Sequence, residues 1–378
     1  MLIERISKMI ELRKLQRKYC DKQGNEPYNV SSWMASETYS NGMLCKLEVP
    51  KINTIDYIYT YSMDRHIVES VKEKIDPNIV GEMGITFTDN GTQAIVTLIN
   101  LIKQYGYKKI CIINPSYFSI AQALQAYGLS YDLINFKREG GKYVLPEEKL
   151  FSAKYDVIWI TSPIFSTSVY FDVRTVEVIH QLMDMGTLVI SDECFCVHGN
   201  ELVRHIKNKE NFIAIYSPHK SLCINTFKFA ALIYPMRFDT FIEHWVDVLT
   251  GNLPASSLGA ISHFIDPNFE ECLSFYKEYM LQAYKSVQEI VNSYKNVISD
   301  EVRIGSLLTL YFENLTYEKI KSLSFMEEVI CNTGFSFYPS FLNGLDESFG
   351  FAFRINLALY DNDFLTALDE LLKYLSTY

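Results

Sequence analysis

From about residue 83 the sequence alternates short apolar runs with amphipathic ones, and this alternation is what most limits the folds open to the chain. Runs such as 83–89, 157–161 and 187–192 are rich in β-branched and aromatic residues and predict strands. Segments 91–106 and 173–186 have apolar residues at helical spacing and predict helices between the strands. Because the strand runs are continuously apolar, we expect a mostly parallel sheet buried on both faces and flanked by helices.

The pattern changes after about residue 237. A long helical region at 269–295 precedes short predicted strands and a final helix, which together indicate a smaller α+β domain. The strands are predicted at 306–312, 335–339 and 351–359, and the helix at 361–375. We therefore expect an N-terminal segment (1–50) that packs with the small domain, a large α/β domain (51–255) and a small C-terminal domain (256–378).

Charge and hydropathy exclude several partners. The chain of 378 residues has a net charge of −10 and no basic tract, which disfavours binding to nucleic acid or to an anionic membrane surface. Residues 1–18 predict an amphipathic helix rather than a signal peptide, and the longest charge-free stretch, 111–131, is too polar to span a bilayer. Eight cysteines without regular spacing indicate free thiols. We expect a soluble cytoplasmic protein.

Functional residues of a parallel α/β sheet gather where the strands end, so each strand end is a candidate. Asn90, Gly91 and Thr92 lie between a predicted strand and a predicted helix. Free N–H groups at a helix start, beside a small hydroxyl, can hold an anion; the alternative is an ordinary N-cap. The chain has no glycine fingerprint of a dinucleotide site and no P-loop, which disfavours a nicotinamide cofactor.

Two further strand ends carry chemistry-bearing residues. Tyr117 is either a core aromatic or a flat surface for a planar ligand. Asp192 follows a buried strand and is either an N-cap or the partner of a buried cation. The nearby Cys194-x-Cys196-x-His198 pattern matches no common zinc signature, so we expect no metal site.

Cations interrupt two apolar segments. Ser217, Lys220 and Lys228 lie in the apolar stretch 215–235, and a buried lysine is costly unless it is paired, neutralised or covalently bonded. Arg354 interrupts a predicted strand, and a buried arginine usually has a carboxylate partner, either internal or on a ligand.

The order of these features resembles the class I/II aminotransferase family, pyridoxal-phosphate enzymes of the aspartate-aminotransferase fold, over about residues 57–357. The resemblance implies that Lys220 forms a Schiff base with the cofactor, that Asp192 pairs with the pyridine nitrogen, and that Tyr117 stacks on the ring. These three are the catalytic candidates. Arg354 would grip the substrate's α-carboxylate, after a turn at Pro339-Ser-Phe341 that resembles the family's.

The resemblance also implies how the cofactor phosphate is held. The binding residues would be Asn90, Gly91, Thr92, Ser217, Lys228 and a tyrosine, Tyr59 or its neighbour Tyr61, that reaches the phosphate of the partner subunit. A homodimer is therefore expected. Trp33 lies where the family's N-terminal segment crosses the mouth of the active site, although it could simply pack there.

Some residues depart from the family pattern. Phe165 stands where the family has an asparagine, and Phe195 where it has a tyrosine, so both donors to the ring hydroxyl are missing. Lys228 replaces the phosphate-binding arginine. We expect a raised pKa for the Schiff base, because fewer donors compete with its proton for the phenolate oxygen.

Several functions stay open at this point. An aminotransferase acting on an α-amino acid is the leading hypothesis. A decarboxylase, a lyase or a specialised biosynthetic enzyme uses the same core residues. A non-catalytic binding or regulatory relative is the alternative from another class, although residues 1–18 form no winged helix of the kind that such regulators carry. The sequence does not predict the substrate side chain.

Overall fold

A seven-stranded and a four-stranded β-sheet, with two two-stranded pairs, organise the chain in this computed structural model, which describes residues 2–47, 65–76, 78, 82–250, 253–302 and 304–378. The strands are β1 (Tyr28–Asn29), β2 (Met83–Thr88), β3 (Ile110–Asn114), β4 (Tyr131–Asn135), β5 (Lys137–Glu139), β6 (Lys142–Val144), β7 (Val157–Thr161), β8 (Leu188–Glu193), β9 (Phe212–Tyr216), β10 (Ala230–Pro235), β11 (Val297–Ser299), β12 (Leu307–Phe312), β13 (Phe335–Ser336), β14 (Tyr338–Pro339) and β15 (Phe351–Asn356).

Helices connect these strands, and several begin at side chains that cap them. The helices are α1 (Leu2–Gln23), α2 (Glu37–Leu44), α3 (Arg65–Ile75), α4 (Gly91–Gln104), α5 (Phe118–Ala126), α6 (Glu147–Ala153), α7 (Val173–Asp184), α8 (Pro218–Ser221), α9 (Asp239–His244), α10 (Ala255–Ile265), α11 (Phe269–Val291), α12 (Tyr317–Lys321), α13 (Leu323–Thr333) and α14 (Asn362–Leu375). Asp172 caps α7 and Asp361 caps α14, because each carboxylate accepts a backbone N–H of the first turn.

The larger sheet has seven strands in the order β2-β10-β9-β8-β7-β3-β4. Strands β9, β8, β7, β3 and β4 are parallel, whereas β10 is antiparallel to both of its neighbours. Alternate residues of β7 enter two separate apolar clusters, Ile158 and Ile160 in one and Val157 and Trp159 in the other. Both faces of the sheet are therefore buried, and the predicted α/β class with a mostly parallel sheet is confirmed.

The topology brings six chain segments to one edge of this sheet. Because β2, β3, β7, β8 and β9 run in the same direction, their carboxyl ends meet there. Strand β10 runs the opposite way, so the residues just before it reach the same edge. This is how Asn90, Tyr117, Asp192, Ser217 and Lys228, far apart in sequence, come together.

The second sheet is antiparallel, in the order β11-β12-β15-β14, and carries Arg354 in β15. The single strand predicted at 335–339 is wrong. Phe335–Ser336 pairs in parallel with β1, and Tyr338–Pro339 pairs with β15, because Phe337 between them turns into the core and is fully buried. The β1–β13 pairing ties the N-terminal segment to the C-terminal part of the chain. The domain boundaries near residues 50 and 255 remain a prediction.

Two findings concern the chain as a whole. All eight cysteines are free thiols. In the described ranges, no helix combines the length and the apolar character that crossing a membrane requires.

Candidate active site

Two cavities meet at Lys220, at the shared edge of the larger sheet. The first, of about 490 Å³ and here called the strand-end cavity, is lined by Asn90, Gly91, Thr92, Ile95, Tyr117, Asp192, Cys194, Ser217, Lys220, Ile224, Asn225, Phe227, Lys228 and Phe229. The second, of about 560 Å³ and here called the aromatic cavity, is lined by Met9, Leu12, Arg13, Gln16, Asn29, Ser31, Ser32, Trp33, Met34, Tyr117, Phe118, Phe165, Phe195, Lys220, Cys223, Asn225, Ser306, Leu307, Tyr338, Asn343, Arg354 and Asn356. Lys220, Tyr117 and Asn225 line both.

The turn before α4 supplies backbone donors to the strand-end cavity. Asn90 is the N-cap of this helix, and its Oδ1 accepts the backbone N–H of Gln93 at 3.0 Å. The cap leaves the N–H groups of Gly91 and Thr92 at the helix start. A Cβ on Gly91 would lie 2.6 Å from Cys194 Sγ, so only glycine fits at this wall. The structure shows the N-cap, and the anion cradle at the same turn stays a prediction.

Asp192 lies at the end of β8 with its side chain in the strand-end cavity. It is buried, and its Oδ1 accepts the backbone N–H of Cys194 at 3.1 Å. No lysine, arginine or histidine among the described residues forms an ion pair with it. A buried carboxylate without a cation is costly, so Asp192 is suited to a positively charged ligand group.

Ser217 and Lys228 line the same cavity, but Ser217 is buried and Lys228 is exposed. Ser217 Oγ donates its one proton to the carbonyl of Phe229 at 3.0 Å, so the hydroxyl would have to rotate away from Phe229 before it could donate to an anionic ligand. Lys228 is exposed, although the apolar flanks of its segment suggested burial. It lies two residues before β10, where the chain returns to the sheet edge from solvent, and its ammonium needs no compensating partner there.

Lys220 lies on the short helix α8, between the two cavities. Its Nζ is 4.4 Å from the ring centroid of Phe195 and 5.3 Å from that of Tyr117. No carboxylate in the described part of the chain pairs with it. The amine is thus half-buried among rings, which favours attachment to a ligand over an internal ion pair.

Phe165 and Phe195 both line the aromatic cavity with this lysine. Phe165 is 6.0 Å from Tyr117 and 6.3 Å from Phe195 between ring centroids. Neither ring carries a hydrogen-bond donor, so the polar groups that this part of the family's site would present are absent at these two positions. The effect of these two residues on a bound cofactor stays a prediction.

Arg354 is fully buried at the floor of the aromatic cavity. Its Cζ lies 3.7 Å from the ring centroid of Trp33 and 4.7 Å from that of Tyr338, so aromatic rings cover the guanidinium. The only hydrogen bonds of its side chain among the described residues are long: Nη1 to Ser166 Oγ at 3.5 Å and Nη2 to the carbonyl of Ser31 at 3.4 Å.

The guanidinium of Arg354 also lacks a charge partner. Its Nε has no hydrogen-bond partner, and none of the described acidic residues pairs with it. Burial lowers the pKa of Arg354 to about 9, which still leaves it charged at neutral pH. The predicted turn before it lies close by: Pro339 pairs with Phe353 in β15, and residues 340–343 form a single 3₁₀ turn.

Sequence reasoning missed several groups of this site. Cys194 closes on Gly91, although nothing local to its strand end signals that contact. His219, beside Lys220, lies 3.1 Å from His263 between ring nitrogens, and burial lowers the pKa of His219 to about 3. Ser166 adopts a left-handed φ of 71°, a strained conformation for a residue other than glycine, where it meets Arg354.

Two features named from the sequence, the partner-reaching tyrosine and His198 of the Cys-x-Cys-x-His pattern, are not part of the site as described. Tyr59 and its alternative Tyr61 lie outside the described residues. Among the residues that are described, no group of three or more histidine, cysteine or acidic side chains could hold a metal ion. His198 of the Cys-x-Cys-x-His pattern instead contacts Glu201 Oε1 at 2.7 Å.

No protein-family model matches the sequence, and no curated protein matches it either. Solved structures do match its fold. A protein from Escherichia coli with a methionine aminotransferase function aligns with a TM-score of 0.72 at 14% identity, over 96% of each chain. An alanine aminotransferase from Pyrococcus furiosus aligns with a TM-score of 0.72 at 15% identity, over 98% of this chain and 96% of that one.

A lyase has the same fold. The pyridoxal-phosphate-bound C-S lyase from Staphylococcus hominis aligns with a TM-score of 0.69 at 15% identity, over 91% of this chain and 89% of that one. These matches cover nearly the whole chain and establish its fold. At such identities they leave the chemistry to be argued from the residues.

Proposed function

We propose that this chain, which has the fold of the solved aminotransferases, is a pyridoxal-phosphate-dependent enzyme that acts on an α-amino acid by transamination, with Lys220 as the residue that binds the cofactor covalently. The proposal depends on how three charged side chains are arranged. Lys220 lies where two cavities meet, a buried carboxylate without a cation faces the first cavity, and a buried guanidinium without an anion faces the second.

The residues of the strand-end cavity fit pyridoxal phosphate. Its phosphate is a dianion, and the start of α4, the Thr92 hydroxyl and the Lys228 ammonium are donors and cations suited to it. The Ser217 hydroxyl would join them by turning its proton from the Phe229 carbonyl to the phosphate. Glycine at position 91 lets the start of α4 lie close to Cys194, since a Cβ there would be 2.6 Å from Cys194 Sγ. Asp192 would hold the protonated ring nitrogen, and Tyr117 would face the ring. Each charge of the cofactor thus has a counterpart.

When bound, the cofactor supplies an aldehyde that takes up the substrate's amino group and a ring that withdraws electrons. The chain's own groups control the protons. The negative charge of Asp192 keeps the ring nitrogen protonated. The Nζ of Lys220, once displaced by substrate, is the base that can remove and return a proton at the substrate's Cα. Phe195 and Tyr117, packed near this amine, limit the access of water.

Arg354 would fix the substrate's orientation. A guanidinium covered on its faces by Trp33 and Tyr338 has its N–H edge left for a carboxylate, which it can bind in two places at once. Its present hydrogen bonds are long, so a carboxylate oxygen would replace little. Fixing the carboxylate sets which bond at Cα faces the Lys220 amine, and this choice determines the reaction.

The test uses the purified protein with added pyridoxal phosphate. We expect a yellow protein whose visible absorbance band Lys220→Ala abolishes and Lys207→Ala, at an exposed position, keeps. Amino acids alone should then bleach the band, and a 2-oxo acid should restore it. Release of ammonia or CO₂ without any dependence on a 2-oxo acid would replace transamination by a lyase or decarboxylase reaction. A protein that stays colourless would overturn the proposal and favour a non-catalytic binding role.

The same resemblance supports a wider proposal on assembly and location. We propose a homodimer in the cytoplasm, with the large domain at 51–255 carrying the cofactor and Tyr59 reaching the partner subunit's phosphate site. A Tyr59→Phe chain should then weaken cofactor binding in the dimer, and light scattering that finds only monomers would contradict this assembly.

A further inference from the structure

The aromatic cavity is larger than the reacting part of an amino acid requires. A carboxylate and an α-carbon beside Arg354 would fill only part of its 560 Å³ or so. Rings bound much of the remaining space, with Trp33, Phe118, Phe165, Phe195 and Tyr338 among its walls. Polar side chains such as Gln16, Asn29 and Asn343 line other parts of it, so the ring-lined side at Trp33 is the part suited to an apolar side chain.

The charges around this cavity have one sign. Of the lining residues that the structure describes, only Arg13, Lys220 and Arg354 are charged, and none is acidic. A cationic substrate side chain would lose its hydration without gaining a partner. Arg13 is exposed on α1, where an ion pair with a second carboxylate would be screened by water and contribute little. The charges thus disfavour basic substrates and give weak support to acidic ones.

Trp33 is held in place in the cavity wall by contacts on several sides. Its ring stacks on Phe195 with centroids 5.4 Å apart at 23°, and it also covers Arg354. The loop that carries it is fixed on both sides, because Asn356 Nδ2 donates to the carbonyls of Ser32 at 2.7 Å and Met34 at 3.0 Å. The indole nonetheless stays 47% exposed at the cavity. An exposed aromatic on a fixed loop is a surface for a ligand to cover.

We propose that the substrate's side chain is a flat, uncharged aromatic ring and that Trp33 is the residue that determines this specificity. The inference rests on the proposed function, since it takes Arg354 as the carboxylate anchor. The substrate's ring would lie among Trp33, Phe195 and Phe165, and the substrate's α-carboxylate would bind Arg354. Asn356 is a positioning residue, because it acts only through the loop that carries Trp33.

The experiment measures the binding of carboxylates that lack an α-amino group, so that binding needs no covalent chemistry. Isothermal titration of the pyridoxal-phosphate-loaded protein compares indole-3-propionate, butyrate, glutarate and 5-aminopentanoate. We expect indole-3-propionate to bind at least tenfold more tightly than the other three. Trp33→Ala should weaken its binding about tenfold, and should weaken butyrate less than about twofold. Trp33→Phe, which keeps a stacking ring, should retain most of the affinity.

Each other result has a definite meaning. Tighter binding of glutarate, lost in Arg13→Gln, would replace the aromatic substrate by a dicarboxylate. Equal weakening of butyrate and indole-3-propionate by Trp33→Ala would reduce Trp33 to a support for Arg354. The visible band, recorded in the same samples, separates this inference from the proposed function. A protein with the band that does not prefer indole-3-propionate overturns this inference alone, whereas a colourless protein overturns the proposed function and, with it, the inference that rests on it.

Discussion

Replacing Gly91 by alanine should crowd Cys194 in the wall of the strand-end cavity and destabilise the fold, and the structure gives the size of the effect. The new Cβ would lie 2.6 Å from Cys194 Sγ, about 1 Å inside an ordinary van der Waals contact. Cys194 is buried on a short side chain, so it has little room to give way. Overpacking of this kind costs about 1–3 kcal/mol, and the better helix propensity of alanine offsets at most about 1 kcal/mol. We expect a net loss of about 1–2 kcal/mol in the free energy of unfolding.

A double-mutant cycle isolates this contact. Urea unfolding of the wild type, Gly91→Ala, Cys194→Ala and the double variant, all without cofactor, should show a favourable coupling of about 1–3 kcal/mol, since the second change removes the clash made by the first. Titration with pyridoxal phosphate should show weaker binding in Gly91→Ala and recovery in the double variant. If Gly91→Ala unfolds like the wild type, or if the two changes are simply additive, the close approach of residues 91 and 194 is refuted.

Three other predictions concern nearby groups. Burial raises the pKa of Glu193 to about 8 from an ordinary 4.5, so the proton it holds stabilises the fold most at low pH, and that contribution falls as the pH rises from about 4.5 to 8. Melting curves at pH 5 and pH 8 should show that the wild type loses more thermal stability than Glu193→Gln, and equal losses would contradict this reasoning. Phe195→Tyr adds a hydroxyl donor and should lower the pKa of the lysine–cofactor linkage in a spectral titration, whereas Phe195→Leu should leave that pKa unchanged. A wild-type pKa well below neutrality would contradict the expectation that the missing donors raise it. Lys228→Gln should weaken the binding of pyridoxal phosphate only about fivefold, because the ammonium is exposed, and should leave the binding of pyridoxal unchanged. Equal weakening of the binding of both compounds would exclude a contact between Lys228 and the phosphate.

Much of the fold was predictable because the strands have strong local signals. The runs at 157–161 and 187–192 are apolar enough to be buried on both faces, and the structure has strands at Val157–Thr161 and Leu188–Glu193. The edge where the candidate residues meet follows from strand direction alone. The weak segment at 335–339 failed, since pairing with two different strands divides it and no local pattern records that division.

The sequence predicted which residues line the site better than it predicted their burial and their contacts. The sequence named residues that line the strand-end cavity, but it suggested burial for Lys228, which is exposed. It gave no sign that Trp33 would cover Arg354, because that contact joins an N-terminal loop to a strand more than 300 residues away. The same holds for Cys194 against Gly91 and for His219 against His263. Such contacts depend on tertiary packing, which single-residue patterns do not encode.

The most direct test of the account is to locate the cofactor's covalent bond. Protein loaded with pyridoxal phosphate is reduced with borohydride, and its intact mass and proteolytic peptides are measured. The account predicts one phosphopyridoxyl group for each chain, on Lys220, and none on a Lys220→Ala chain treated in the same way. A group found on another lysine, or no added mass on the wild type, would contradict it.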